Sequence, residues 1–193
     1  MSAPEPARRQ ALQQRIADAI VEAAARTLAS GGERTSMHDV ATEAGVARAT
    51  LYRYFPSRQA LVEEVGRLAA SDAGTRLLSA RLGEVSVEEG VARAVRALVE
   101  VGDLFIVLAR ERVRPDPEVF ERSLGTPLRS LVERGQEMGS IRDDVPSSWL
   151  TESLVGLVVS VLSVRPSMGR EDTIAIATSL FLEGASGPRP EVD

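Results

Sequence analysis

Apolar residues recur with a helical period along almost the whole chain. Between residues 9 and 30 they follow every three or four positions, the spacing of one helix face: Leu12, Ile16, Ile20 and Ala23. Gly31 and Gly32 come next, and glycine is a typical residue at a helix end. No segment keeps the strict alternation of a half-buried strand. The pattern predicts an all-α protein of about nine helices.

A short segment, residues 35–58, combines two brief helical patterns with strong boundary signals. Ser36 followed by Asp39 is typical of a capping box, so a helix is predicted over about 36–44. Gly45 can adopt the left-handed backbone that ends such a helix. A second helix is predicted over about 47–55, with Leu51 and Phe55 pointing inward. Pro56 and Ser57 then form the boundary with the next helix. The whole segment, residues 35–58, reads TSMHDVATEAGVARATLYRYFPSR. Helix, glycine turn and helix is the helix-turn-helix pattern.

The charge of this segment differs from that of the remaining chain. No carboxylate lies between Ala44 and Glu63, a stretch of 18 residues that carries Arg48, Arg53 and Arg58. Residues 1–60 hold 8 Arg against 6 Asp and Glu, whereas residues 61–193 hold 15 against 22. The N-terminal region is therefore basic although the net charge of the whole chain is −5. A surface that faces phosphates needs such positive charge.

Six more helices are predicted after residue 56, near 57–80, 86–112, 116–125, 126–139, 147–164 and 171–183. We expect Gly74 to interrupt the first, the second to be continuous, and Gly125 to separate the third from the fourth. The segment 154–164 is apolar almost all round, so a helix there should be buried on all sides. It is either the central helix of a monomer or, as we prefer, a helix shared between the core and a partner subunit.

The run from His38 to Val62 resembles the DNA-binding signature of the TetR (tetracycline-repressor) family of bacterial transcription regulators. The resemblance covers about residues 10–62 closely, and the rest of the chain is similar only in its length and helical pattern. The matching features are Ala41, the turn Glu43-Ala44-Gly45-Val46, Thr50-Leu51-Tyr52, Tyr54-Phe55 and the basic Arg58. The resemblance implies a helix-turn-helix DNA-binding domain over 9–56 and a C-terminal regulatory domain for ligand binding and dimerisation over 57–185.

The resemblance also assigns roles to individual residues. It implies that the recognition helix begins at Ala47 and that its start reaches base edges, where Arg48 can bind guanine in a bidentate manner and the methyl groups of Ala49 and Thr50 can contact thymine. Phosphates and sugars would be contacted by a further group of side chains: Thr35, Ser36, Tyr52, Tyr54 and Arg58.

For the C-terminal domain the resemblance implies a ligand pocket and a dimer interface. The candidate pocket residues are those expected to point inward from the fifth to the eighth helix: Phe105, Leu108, Phe120, Leu128, Trp149 and Ser153. Asp103, Arg110 and Glu152 are candidate polar anchors, although plain core or surface roles remain open for all nine. We expect a homodimer through about 147–164 and 171–183 that binds a palindromic double-stranded DNA operator. A small, hydrophobic effector would release this repressor.

Other readings of the sequence stay open. A protein of the same fold could activate transcription or lack an effector, and a helical adaptor could use the same motif to bind protein. An enzyme is not expected, because the chain has no cysteine and no lysine, and its single histidine, His38, completes no nucleophilic set. For the same reason we expect neither a metal nor a cofactor. The N-terminus has no apolar segment of a signal peptide and no stretch is long enough to cross a membrane, so a soluble, cytoplasmic protein is expected.

Overall fold

The computed structural model describes residues 5–31, 35–113, 116–163 and 169–186, the side chains of residues 5–7 and 103 excepted. This part of the chain is all-α, as predicted, and its β-type pairing is limited to one isolated bridge between Ile141 and Ser186. The helices are α1 (Glu5–Gly31), α2 (Met37–Glu43), α3 (Arg48–Tyr54), α4 (Arg58–Ser79), α5 (Val87–Glu100), α6 (Gly102–Glu111), α7 (Pro117–Phe120), α8 (Thr126–Glu137), α9 (Ser147–Ser163) and α10 (Arg170–Ala185).

The helices α1, α2 and α3, here called the head, pack around a small apolar centre. Ile20, Val40 and Leu51 are at most 1% exposed in this centre. The first turns of α1 extend beyond it, so Leu12, the first residue of the apolar face of α1, is 59% exposed. The apolar centre continues without a break into that of α4–α10, here called the body.

The long helix α4 joins the head to the body without the predicted interruption at Gly74. A Cβ atom at Gly74 would lie 3.0 Å from the Cβ of Ser123, on the segment that follows α7. The absence of a side chain at this position therefore permits close packing of two elements and does not break the helix.

Two helix boundaries differ from prediction, and each lies at contacts that the apolar pattern does not show. The single helix expected over 86–112 is divided at Val101 into α5 and α6, and Gly102 lies where an added Cβ would be 2.3 Å from Leu162 of α9. Conversely, Gly125 ends no helix, because a π-helical turn over Glu121–Gly125 connects α7 to α8. The Glu121 carboxylate accepts hydrogen bonds from Thr126 Oγ1, at 3.0 Å, and from Arg129 across this turn.

The helices α9 and α10 form one side of the body and leave one face uncovered. Leu154 and Val158 of α9 are buried, whereas Ser153, Gly156 and Ser160 are exposed, so α9 is not buried all round within a single chain. Among the described residues, no helix combines the length and the apolar character needed to cross a bilayer.

Candidate DNA-binding surface

The turn between α2 and α3 is fixed by local interactions that the sequence predicts. Ser36 Oγ accepts from the backbone N–H of Asp39 at 3.3 Å, and the Asp39 carboxylate accepts from the Ser36 N–H at 2.8 Å, which completes the capping box. The Ser36 N–H and, second, the Ser36 hydroxyl, which also donates to the Asp39 carboxylate at 2.8 Å, lower the pKa of Asp39. Gly45 has a φ of +65°, and the Val46 N–H bonds to the Ala41 carbonyl at 3.0 Å. The angle between the two helices is thus set within ten residues of chain.

The outer face of α3 is basic and aromatic, as predicted. Leu51 anchors the helix inward, while Ala47, Arg48 and Ala49 are exposed at its start and Thr50 is half-buried. The Arg48 guanidinium carbon lies 5.4 Å from the ring centroid of Tyr52, which is 37% exposed. Stacking of this kind holds an arginine in place while leaving its N–H donors free to bind a partner.

A second stacked pair lies beside the first. The Arg53 guanidinium carbon is 5.3 Å from the ring centroid of Tyr54, which is half-buried. Two cations on one short helix, each supported by a tyrosine ring, form a surface suited to the sugar–phosphate backbone and base edges of a nucleic acid.

Arg58, the first residue of α4, lies at the edge of this surface and is already paired. Its Nε donates to Glu111 Oε2 at 2.9 Å, its Nη2 donates to the other oxygen of that carboxylate, and its Nη1 donates to the carbonyl of Thr35. The hydrogen bond to Glu111 is the main cause that raises the pKa of Arg58. Ser57 caps α4 by accepting from the Ala60 N–H at 3.1 Å, as its position predicts.

Thr35 corrects one prediction. Its side chain is only 6% exposed, and its hydroxyl donates to the Thr27 carbonyl of α1 at 3.1 Å. A Cβ atom at Gly31 would lie 2.2 Å from that hydroxyl oxygen, so the glycine permits the close approach. The expectation of a phosphate-facing Thr35 hydroxyl is therefore wrong, since the hydroxyl joins α1 to the start of α2. Ser36 remains on the exposed side.

The predicted effector residues fall into two groups. Phe105, Leu108 and Leu128 are 5%, 3% and 0% exposed, and Phe120 is half-buried, so these four do point inward. The expectation that Trp149 points inward is wrong, because Trp149 is 72% exposed.

The remaining candidates also lie on the outside of the bundle. Ser153, Arg110 and Glu152 are exposed, and the Asp103 side chain is outside the described part. Trp149, Glu152 and Ser153 belong to the uncovered face of α9, where the apolar pattern of the sequence does not distinguish core from interface. A surface groove of about 450 Å³ lies between α1, α4 and the α5–α6 junction, and none of the eight candidates whose side chains are described lines it.

Comparison with known proteins agrees with this geometry. Residues 20–65, which include α2, α3 and the start of α4, match the family model of the bacterial regulatory proteins of the tetR family. The chain is also 25% identical to the HTH-type transcriptional regulator NfxB of Pseudomonas aeruginosa in an alignment of 169 residues that covers 80% of this chain and 87% of that protein. These matches support the TetR family. They indicate a TetR-family transcriptional regulator with a helix-turn-helix for DNA binding.

Solved structures of TetR-like regulators share the fold over nearly the whole chain. LfrR from Mycobacterium smegmatis, in complex with proflavine, has a TM-score of 0.73 at 21% identity and covers 90% of this chain and 99% of its own. RolR, in complex with resorcinol, has a TM-score of 0.66 at 20% identity and covers 95% of this chain and 100% of its own. The TetR fold therefore extends to α10.

Glu111 is the residue of this region that the sequence did not indicate. It lies 53 positions from Arg58, on a helix whose end the apolar pattern does not mark. Only the packing of α6 against α4 brings the carboxylate to the guanidinium, so no local signal could have identified the pair. Arg53 had a signal, namely its place in the stretch without carboxylates.

Proposed function

We propose that this TetR-family regulator is a homodimeric repressor that binds a palindromic operator and is released by a small, largely apolar effector. The exposed basic and aromatic face of α3 carries the proposal. Arg48 at the start of α3 would read a base edge, with Ala49 and Thr50 against thymine methyl groups. Ser36, Ala47, Tyr52 and Tyr54 would contact the backbone or lie against it, and Arg58 would bind a phosphate once free of Glu111.

The dimer would form through the uncovered face of α9 and α10. Three large apolar side chains are exposed on these two helices: Trp149 at 72%, Ile176 at 38% and Leu180 at 53%. An added Cβ at Gly156 would meet no atom within 4 Å, so this part of α9 is open to close approach by another helix. Two recognition helices held about 34–36 Å apart would enter successive major grooves.

The effector would act on the body, residues 57–185, which we propose as the regulatory domain beside a DNA-binding domain over 9–56. Phe105, Leu108 and Leu128 are packed in the core, so a ligand among them must open the bundle. A ligand that binds the open body better than the closed one shifts the population between the two. The ligands named for LfrR and RolR, proflavine and resorcinol, are flat aromatic molecules, which supports a flat aromatic effector here.

The test is selection of duplexes from fragmented genomic DNA, followed by fluorescence anisotropy over a range of salt concentrations. We expect a recovered palindrome, tight binding and a steep salt dependence that reflects several phosphate contacts. Arg48→Ala combined with Arg53→Ala should abolish this binding. Arg122→Ala removes an exposed arginine from the π-helical turn that follows α7 and should leave binding unchanged. Wild-type protein that binds no duplex at low salt would reject the proposal in favour of an adaptor.

A further inference from the structure

Arg58 ties three separate elements together. With Glu111 and the carbonyl of Thr35 it forms a cluster here called the Arg58 clamp. Thr35 immediately precedes the cap of α2, Arg58 begins α4, and Glu111 is the last residue of α6. A single guanidinium therefore connects the entrance of the helix-turn-helix to the body.

The clamp is better sheltered than the ion pair between Arg26 and Glu43 of the head. The side chains of Arg58 and Glu111 are 30% and 21% exposed, against 61% and 48% for Arg26 and Glu43. Both carboxylate oxygens of Glu111 accept from Arg58, and bidentate pairing is the geometry in which arginine binds carboxylates most strongly. Partial burial also reduces screening by salt.

A DNA phosphate would need the same guanidinium. Of the five N–H donors of an arginine, the clamp uses one on each of the three nitrogens of Arg58. A phosphate that approached the remaining donors would also approach the Glu111 carboxylate, and two like charges at that distance repel. Binding of Arg58 to phosphate and binding to Glu111 therefore oppose each other.

We propose that Glu111 competes with the DNA backbone for Arg58, so that the position of the end of α6 sets the DNA affinity of the head. The inference rests on the proposed function and adds its route of regulation. Leu108, one turn before Glu111, packs so closely on α4 that an added Cβ at Gly66 would lie 2.9 Å from it. Leu108 and Phe105 are also proposed effector contacts, so an effector that favours the clamped position of α6 lowers DNA affinity.

The test is a double-mutant cycle on DNA binding by the full-length protein. Anisotropy with a duplex recovered in the selection would be measured for wild type, Glu111→Gln, Arg58→Ala and the double variant. We expect Glu111→Gln to tighten binding by about threefold to tenfold, the range of one partly sheltered ion pair. In the Arg58→Ala background the same change should have no effect, because the guanidinium for which Glu111 and the phosphate compete is absent.

Two further measurements distinguish competition from a general effect of charge. Glu118→Gln removes the same charge from an exposed side chain of α7 and should leave affinity unchanged. The salt slope should fall by about 0.9 in Arg58→Ala, one phosphate contact, and stay at the wild-type value in Glu111→Gln. Thermal melting of each variant checks that the fold is intact.

Equal tightening by Glu111→Gln with and without Arg58 would overturn the competition, since it would show only reduced repulsion of DNA. Weaker binding by Glu111→Gln would overturn it as well, because the clamp would then position the head for DNA. Either result leaves the proposed function standing. Failure of the wild type to bind any duplex would instead reject the proposed function, and the competition with it.

Discussion

Arginine supplies every one of the 23 basic side chains, and the neighbours of each arginine decide what it can do. Arg48 and Arg53 lie over tyrosine rings, which support the guanidinium without neutralising it. Arg58 is neutralised by Glu111, and Arg76 by Asp72 and Glu100. Arg48 and Arg53 of α3 therefore keep their charge available to a nucleic acid, whereas Arg58 and Arg76 do not.

Arg48→Ala tests base readout at the level of one residue. We expect a relaxed preference at one base pair of each half-site, at a cost of about 1–3 kcal/mol, because a bidentate contact to guanine is lost. Repeating the selection with the variant and aligning the recovered sites measures this. Tyr52→Phe is the matched comparison, since it keeps the ring beneath Arg48 and should weaken all sequences alike. If Arg48→Ala weakened binding equally whichever base pair of the site is changed, the assignment of Arg48 to base readout would be contradicted.

Asp39 gives the helix-turn-helix a dependence on pH. Its hydrogen bonds to Ser36 hold its folded pKa below the ordinary value of 3.8, so its stabilisation is fully present above that value. It is lost as the pH falls through the folded pKa. We expect Asp39→Asn to lower the free energy of unfolding at pH 7 and the difference from wild type to shrink on acidification, as measured by urea denaturation. Asp143→Asn, in the exposed loop before α9, should change stability little at pH 7. A difference that grows at low pH would contradict the prediction.

At the scale of elements, the helices that the sequence located best are those with local boundary signals. Predictions of 36–44 and 47–55 differ by one residue at each end from α2 and α3, because the Ser36 cap, Gly45 and Pro56 act within a few residues. The break between α5 and α6 was missed, and there Gly102 permits the close approach of Leu162 of α9, which lies 60 positions away. The π-helical turn before α8 was missed because the apolar pattern does not show the hydrogen bonds of Thr126 and Arg129 to Glu121.

The residues of the candidate DNA-binding surface also divide into those that local sequence indicates and those that depend on packing between helices. The exposure of Ala47, Arg48 and Ala49 was predictable, because the inward direction of Leu51 fixes the outer face of so short a helix. The pairing of Arg58 was not, since it depends on how α6 packs against α4. Trp149 was misplaced because an apolar residue at helical spacing looks the same whether its own core or another subunit covers it.

Gly45→Ala tests the turn that sets the angle between α2 and α3. The φ of +65° at this position costs a residue with a Cβ about 1–2 kcal/mol, although no atom lies within 4 Å to obstruct the side chain. We expect a loss of that size in the free energy of unfolding and weaker DNA binding. Gly83→Ala is the control, as it has equal space and no positive φ. A variant at position 45 as stable as wild type would show that the backbone relaxes.

For the whole molecule, the head and the body depend on one another through α4 and through the end of α6. The apolar core is continuous between them, so a change deep in the body is transmitted as a displacement of packed helices. The proposed effector residues Phe105 and Leu108 lie on α6, the helix that carries Glu111. Displacement of that one helix is therefore enough to alter the charge that the head presents.

Dimerisation is the remaining requirement, and Leu180→Glu tests it. Leu180 is 53% exposed on α10, so in a monomer the change should affect folding by no more than about 0.5 kcal/mol. In the proposed interface it would bury a carboxylate, and we expect a monomer by sedimentation velocity. Operator affinity should then fall by about a hundredfold or more, because two linked heads bind far more tightly than one. Leu78→Glu, at a position 76% exposed on α4, introduces the same charge and should leave both measurements unchanged. A Leu180→Glu protein that remains dimeric would place the interface elsewhere on the body.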